Sequence, residues 1–290
     1  MELDRDKLHE DILKLSREEH EALGEKGTLE MLERGRQWDL SETLAEGGVL
    51  VFPHAGVADC GYQIAAVVHA CLDSGADKVL VISVLHAFTD EMEAERVRVA
   101  NGGDPSKEKH WGIQGPGLAR GDEWREDHVL MSFHHFWEAE TRRRGIQGPQ
   151  VIERYPYLAG GRPWDLPGIE ELKNLARESV IVSTADAFHH GIGYGDPPEE
   201  SLPPEDGGLE LARQRMQEGI ALLEEGDYWG YNQHCVEAKS DARDAGQVLR
   251  YLRGPMKGRI LDLTYSDASD LYGQPPPSWV AAALVEWRVL

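Results

Sequence analysis

Cysteine is scarce in this sequence, and the few residues present do not suggest a disulfide framework. Cys60, Cys71 and Cys235 are the only three in 290 residues. An odd and widely spaced set cannot pair completely within one chain. Reduced thiols are typical of a cytosolic protein, so the sequence predicts a cytoplasmic location.

Long apolar runs are also missing. No run approaches the ~20 residues that a transmembrane helix needs. The N-terminal segment is charged throughout, lacks the apolar region of a signal peptide, and is too acidic for a transit peptide. We therefore expect no membrane association.

Positive charge is in short supply as well. Lys and Arg total 30 against 52 Asp and Glu, which gives a formal net charge of −22 at pH 7. Such a charge repels phosphate backbones and anionic membranes, so we expect no nucleic-acid partner. A salt-rich habitat would explain the same acidity. The 41% hydrophobic content indicates a globular protein rather than a disordered one.

Apolar runs of strand length alternate with helical patterns along most of the chain. Residues 49–54, 78–85 and 180–184 read as strands buried on both faces, and 61–73 as a helix between the first two. This pattern predicts an α/β fold, with one central largely parallel or mixed β-sheet flanked by helices. Residues 1–46 are interpreted as a helical N-terminal extension, with one or two helices over 5–37, and 47–290 as the α/β domain. Further predictions are a long loop over 100–125, helices over 208–225 and 227–252, and two closing strands that begin at Arg259 and Ser278.

A histidine follows each of the three buried strands. These are His54, His86 and His189. Ligands bind at the carboxyl ends of the strands in open α/β sheets, and imidazole is a common metal ligand and acid–base group. Each histidine alone is more simply a hydrogen-bonded residue at a strand end, but three at equivalent positions favour a site.

Several segments resemble the superfamily that contains class III extradiol ring-cleavage dioxygenases and Memo proteins. The similarity covers roughly residues 48–290 by element order. The segments that carry it are Pro53-His54-Ala55-Gly56, Leu85-His86-Ala87-Phe88, Glu126-Asp127-His128 and Asp186-Ala187-Phe188-His189-His190-Gly191.

The resemblance implies a metal centre with separate acid–base residues. In extradiol enzymes two histidines and a carboxylate bind Fe(II), which leaves positions open for a catecholate and O₂. Carried over, His54 and His86 are metal ligands, and His189 is the acid–base group supported by Asp186. His128 lines the pocket. Fe(II) is the implied cofactor, with copper or zinc as alternatives.

The resemblance leaves the third ligand open. Memo proteins use a cysteine and extradiol enzymes a glutamate in a late helix, and this chain offers Cys235, Glu237, Asp241 and Asp244 there. The three acids share one predicted helical face, and we favour Asp241 or Asp244. A solvated helix face explains most of these charges equally well. A carboxylate ligand favours Fe(II), whereas a thiolate favours a softer metal.

The expected function is therefore that of a non-haem Fe(II) dioxygenase, with a small aromatic substrate such as a catechol and O₂. One alternative is a Memo-like metal-binding protein without ring-cleavage activity, and another is a metal-dependent hydrolase. The acidic N-terminal helices are a candidate surface for a homo-oligomer. His9, His20 and His110 are interpreted as surface residues.

Overall fold

A computed structural model describes residues 5–290, so the first four residues of the predicted extension over 1–46 lie outside the described part. Helix α1 (Arg5–Gly35) is interrupted at Gly24, whose φ of 57° suits glycine, and α2 (Ser41–Ala45) follows. The expectation of one or two helices over 5–37 is thus confirmed. The second half of α1 packs closely on the helix over Val57–Asp73, because a Cβ at Gly35 would lie 2.7 Å from the backbone nitrogen of Ala66.

Eight strands form one mixed sheet, which confirms the predicted α/β class. The strands are β1 (Val49–Phe52), β2 (Lys78–Ile82), β3 (Gly112–Gln114), β4 (Gln150–Tyr157), β5 (Val180–Thr184), β6 (Phe188–Gly191), β7 (Met256–Asp267) and β8 (Ser278–Val289). Their order is β3-β4-β2-β5-β1-β8-β6, and β7 pairs with β8. The four strands β4-β2-β5-β1 are parallel, whereas β3, β6, β7 and β8 pair antiparallel with their neighbours.

Helices pack in two groups beside this sheet. The remaining helices are α3 (Val57–Asp73), α4 (Asp90–Ala100), α5 (Met131–Arg144), α6 (Ile169–Arg177), α7 (Gly208–Glu225), α8 (Tyr228–Glu237), α9 (Arg243–Arg253) and α10 (Ser269–Tyr272). Helices α1, α3 and α5 contact one another, as do α7, α8 and α9. Helix α3 is almost wholly buried, which explains its nearly continuous apolar sequence. Over residues 5–290, no helix combines the length and apolarity needed to cross a bilayer.

The prediction of a single helix over 227–252 is wrong, because the structure has two helices in this segment. Helix α8 ends at Glu237 and α9 begins at Arg243. Lys239 between them has a φ of 51°, a left-handed conformation that cannot continue a right-handed helix. Asp241 therefore lies in a turn, and the acids 237, 241 and 244 do not share one helical face. The predicted loop over 100–125 contains β3 and two 3₁₀ turns.

Candidate metal centre

The carboxyl ends of β1, β2 and β5 meet at one edge of the sheet. His54 follows β1, His86 follows β2 and Asp186 follows β5. These strands are parallel neighbours, so the residues after them come together. The rings of His54 and His86 lie edge to face, with centroids 5.4 Å apart.

Asp241 brings a carboxylate to the two histidines. Its Oδ2 lies 3.0 Å from Nε2 of His54 and 3.8 Å from Nε2 of His86. Its Oδ1 accepts a hydrogen bond from the backbone N–H of Asp186 at 2.8 Å, which fixes the turn after α8 against the loop after β5. With metal–ligand bonds of about 2.0–2.2 Å, neighbouring ligand atoms lie about 3–4 Å apart, so each of these two distances suits a pair of ligands on one ion.

The carboxylate oxygen between the histidines is well suited to a cation. Oδ2 of Asp241 is buried and makes no well-aligned hydrogen bond within the described residues. Two groups of three residues each offer ligand atoms that all lie within 4.8 Å of one another, and both groups include His54. One group adds His86 and His128, and the other adds Asp186 and Asp241. We favour His54, His86 and Asp241, a set that combines members of the two groups, because Oδ2 of Asp241 lies near Nε2 of both histidines, whereas Oδ2 of Asp186 lies 3.6 Å from Nε2 of His54.

Two further side chains orient the histidines. Asp127 is fully buried, accepts the backbone N–H of His86 at 2.9 Å and lies 3.2 Å from its Nδ1. Nδ1 of His54 pairs with the hydroxyl of Thr184 at 3.0 Å. Each Nε2 therefore points to Asp241. Sequence reasoning assigned neither residue a role, although Asp127 directly precedes a histidine in a quoted segment.

Burial and the close charges shift the ionisation of this cluster. Burial disfavours the charged form of His86, but Asp127 and then Asp241 raise its pKa to about 10. Burial also opposes ionisation of Asp127, yet His86 lowers its pKa to about 2. The pKa of Asp241 lies below its usual value despite burial, because His54 and His86 adjoin it. An ion that binds these imidazoles must displace protons from them.

His189 lies beside this cluster, but not where the sequence places it. It belongs to β6, which pairs antiparallel with β8, rather than to the end of a parallel strand. Its ring contacts Tyr194 with centroids 4.9 Å apart, and its Nδ1 is buried with no hydrogen-bond partner among the described residues. Burial lowers its pKa, so the ring is neutral at pH 7. Within residues 7–290 no hydrogen bond joins His189 to Asp186, whose carboxylate adjoins His54 instead.

His128 lines the same space. Its ring stacks on His86 with centroids 5.0 Å apart. Burial and the adjacent His86 lower the pKa of His128 to about 3, so it too is neutral at pH 7. Its Nδ1 is buried and has no hydrogen-bond partner among residues 7–290.

A cavity of about 430 Å³ connects these residues with the N-terminal helix. Leu8, His9 and Ile12 of α1 form part of its wall. His9 is partly exposed, but its ring stacks on Phe88 with centroids 4.1 Å apart and its Nε2 lies 2.8 Å from the carbonyl oxygen of Glu126. His110, also interpreted as a surface residue, is buried against a glutamate. The N-terminal helix α1 thus forms part of the wall of the cavity that His54 and His86 line.

The structure does not bring the other candidate ligands to the histidines. Asp244 is buried at the start of α9, and its Oδ1 accepts the backbone N–H of Ala159 at 2.7 Å. Glu237 is exposed at the end of α8. Cys235 lines a separate, mostly apolar cavity of about 70 Å³, and burial raises the pKa of its thiol to about 12. It is therefore not placed with the two histidines, which line the larger cavity.

No protein-family model matches this chain, and no curated protein matches its sequence. The resemblance carried by the His54 and His86 segments thus stays a prediction. What the site can do follows from its geometry: the imidazoles of His54 and His86 line a cavity and adjoin the buried carboxylate of Asp241, with two neutral histidines beside them.

Proposed function

We propose that this chain is a non-haem Fe(II)-dependent dioxygenase of the class III extradiol type, acting on a catechol or a related small aromatic compound. The observation that carries the proposal is the position of Asp241 Oδ2, 3.0 Å from Nε2 of His54 and 3.8 Å from Nε2 of His86. Two histidines and one carboxylate that leave positions open are typical of Fe(II) oxygenases. Cys235 lines a different cavity from His54 and His86, which argues against a Memo-like thiolate site.

The chain's own residues hold and orient the ligand atoms. Fe(II), when bound, supplies the redox chemistry that joins O₂ to an aromatic diol. Asp127 and Thr184 fix the ring nitrogens of His86 and His54, so each Nε2 is presented without a change of rotamer. Such fixed geometry reduces the entropy lost when ion and substrate bind.

His189 supplies the proton transfer. It is neutral because burial lowers its pKa, and its Nδ1 has no hydrogen-bond partner within residues 7–290. It accepts the proton of a substrate hydroxyl at this nitrogen and later returns it. His128, also neutral, forms a hydrogen bond with a second substrate oxygen.

The cavity wall favours a small aromatic ligand. Leu8, Ile12, Ala87 and Phe88 form an apolar part of its lining, and its volume of about 430 Å³ is in the range of small-molecule sites. These apolar side chains would contact the face of a flat ring, while the histidines bind its neighbouring hydroxyl groups.

Anaerobic reconstitution with Fe(II) tests the metal site. We expect one tightly bound iron per wild-type chain, and loss of binding in the His54→Ala, His86→Ala and Asp241→Asn variants. His134→Ala is the matched control, because this half-exposed histidine pairs with Glu153 outside the cluster. O₂ uptake and ring-cleavage absorbance with a panel of catechols then test the reaction. Equal iron binding by the three variants, or no O₂ uptake by the iron-loaded protein, would contradict the proposal.

A zinc-dependent hydrolase is the second candidate. Ligand atoms of His54, His86 and His128 lie within 4.8 Å of one another, and three histidines are a common ligand set for catalytic zinc, which supplies an activated water. In that case His128→Ala would abolish zinc binding, and activity would persist without O₂. In the dioxygenase the same variant keeps its iron.

A further inference from the structure

Three oxygen atoms from three different elements surround a small space beside Gly56. They are Oε1 of Glu19 on α1, Oδ2 of Asp59 on α3 and Oγ of Ser266 on β7. A Cβ on Gly56 would lie 3.1 Å from the Asp59 and Ser266 oxygens and 3.2 Å from that of Glu19. The φ of Gly56 is −48°, so glycine is not needed for the backbone conformation. Its absent side chain keeps the space between the oxygens open.

These oxygens are poorly satisfied by the protein itself. Ser266 is 6% exposed, and its Oγ is buried with no hydrogen-bond partner among the described residues. Glu19 accepts one hydrogen bond, from the backbone N–H of Val57 to its other oxygen at 3.3 Å. A buried hydroxyl that faces two carboxylates without bonding to either destabilises the fold unless another group joins them.

The two carboxylates at this position also have no basic partner among the described residues, and Asp59 is exposed to water. Neither Glu19 nor Asp59 forms an ion pair with any of the residues that the structure describes. Burial and the neighbouring Asp59 raise the pKa of Glu19. Asp267 and Asp270 line the same end of the cavity and add further negative charge.

We propose that Glu19, Asp59 and Ser266 bind a hard divalent cation, with Ca²⁺ as the best fit. The donor set consists only of oxygens and carries two negative charges, which suits Ca²⁺ rather than a nitrogen- or sulfur-seeking metal. Ca²⁺ accepts irregular geometry and completes its coordination with water.

A simpler explanation is that both acids stabilise the N-terminus of α3 through the helix dipole. That accounts for the Glu19–Val57 contact. It does not explain why Ser266 faces the carboxylates without bonding to them, or why a glycine keeps the space open.

The cation would attach the first half of α1 to the rest of the protein, over the cavity of about 430 Å³. Between residues 7 and 27 no side chain of α1 is buried, and the first buried one is Thr28. This half of the helix precedes the interruption at Gly24 and is held mainly by polar contacts. A cation that joins Glu19 to α3 and β7 closes this half over the His54 cavity, whichever reaction takes place there.

Calcium titration of the full-length, chelator-treated protein tests the proposal at constant ionic strength. We expect millimolar Ca²⁺ to raise the Tm of the wild type by about 2 °C or more, since a ligand that binds only the folded state stabilises it. Trypsin cleavage after Lys14 and Arg17 should slow by about threefold or more, because α1 opens less often.

Matched variants identify the site. Asp59→Asn and Ser266→Ala should lose most of both effects, and Gly56→Ala should do the same by filling the space without a change of charge. Glu21→Gln removes a charge from the exposed side of the same helix and should respond like the wild type. His54→Ala should also keep the response, which separates this site from the metal centre. No response in the wild type, or equal responses in Asp59→Asn and Glu21→Gln, would overturn the proposal.

Discussion

Asp127 holds His86 from two sides. One carboxylate oxygen accepts the backbone N–H of His86 at 2.9 Å, and the other lies 3.2 Å from its Nδ1. The backbone contact fixes the loop after β2, while the side-chain contact selects Nδ1 as the protonated ring nitrogen. Nε2 is left free to face Asp241, so the position and the tautomer of one proposed ligand depend on a single buried carboxylate.

Asp127→Asn should therefore weaken metal binding without removing a ligand. The amide keeps the size of the side chain but loses the charge that favours the imidazole Nδ1–H. We expect metal affinity to fall about 10- to 100-fold. Competition with a chelator of known affinity measures the change. Asp122→Asn, at an exposed position of the preceding loop, should bind metal like the wild type. Unchanged affinity in Asp127→Asn would exclude the orienting role.

The histidines of this site could be predicted because each follows an apolar run of strand length. Neighbouring parallel strands bring the residues after them to the same edge of the sheet, whatever the conformation of the loops. The proximity of His54 and His86 can therefore be predicted from the strand pattern alone. The third ligand could not be selected in this way. A helical pattern over 227–252 treats Asp241 and Asp244 alike. In the structure the left-handed turn at Lys239 follows the end of α8, so Asp241 lies before α9, where it accepts the backbone N–H of Asp186, whereas Asp244 lies within α9.

The N-terminal helix shows a second limit of sequence reasoning. Its charged pattern predicts a helix correctly, but periodicity does not reveal what the helix covers. His9 reaches the cavity because α1 lies across α3 and α5, a long-range arrangement that no local signal encodes. The same holds for His189, whose strand β6 is defined only by its partner β8.

Asp241 and Asp244 should behave differently when substituted. Asp241→Ala should abolish metal binding, because it removes the oxygen between the two histidines. Asp244→Ala should keep the metal but lower the free energy of unfolding by about 1–3 kcal/mol, since the N–H of Ala159 loses its acceptor in a buried position. Metal content and urea unfolding of both variants distinguish the two roles. Metal loss in Asp244→Ala together with retention in Asp241→Ala would reverse the assignment.

His189→Gln should reduce turnover but keep the metal. Glutamine retains hydrogen-bonding groups but cannot exchange a proton near neutral pH. We expect kcat for a catechol to fall about 10²- to 10⁴-fold, with a much smaller change in KM. Steady-state O₂ uptake by iron-loaded protein measures both constants. His134→Gln, outside the cavity, is the control and should keep normal kinetics. A variant with unchanged kcat would remove His189 from the proton transfer.

Glu140 should make stability depend on pH far from the metal centre. Its carboxylate is fully buried on α5 and accepts charged hydrogen bonds from Arg36, Arg143 and Arg144 at 2.6–2.8 Å. Burial opposes its ionisation, but the arginines lower its pKa to about 2. A lowered carboxyl pKa contributes stability that is complete above the unfolded-state value near 4.5. That contribution is lost as the pH falls toward 2.

Glu140→Gln should therefore destabilise the protein at pH 7 and much less at low pH. We expect a loss of about 1–3 kcal/mol at pH 7, below the full penalty for breaking a buried pair because Arg36 and Arg143 remain partly hydrated. Urea unfolding of wild type and variant between pH 7 and pH 3 measures the difference, which should shrink steadily below pH 4.5. Glu138→Gln, exposed on the same helix, should differ little from the wild type at any pH. A Glu140→Gln difference that stays constant down to pH 3 would show that lost packing, rather than the carboxylate charge, is responsible.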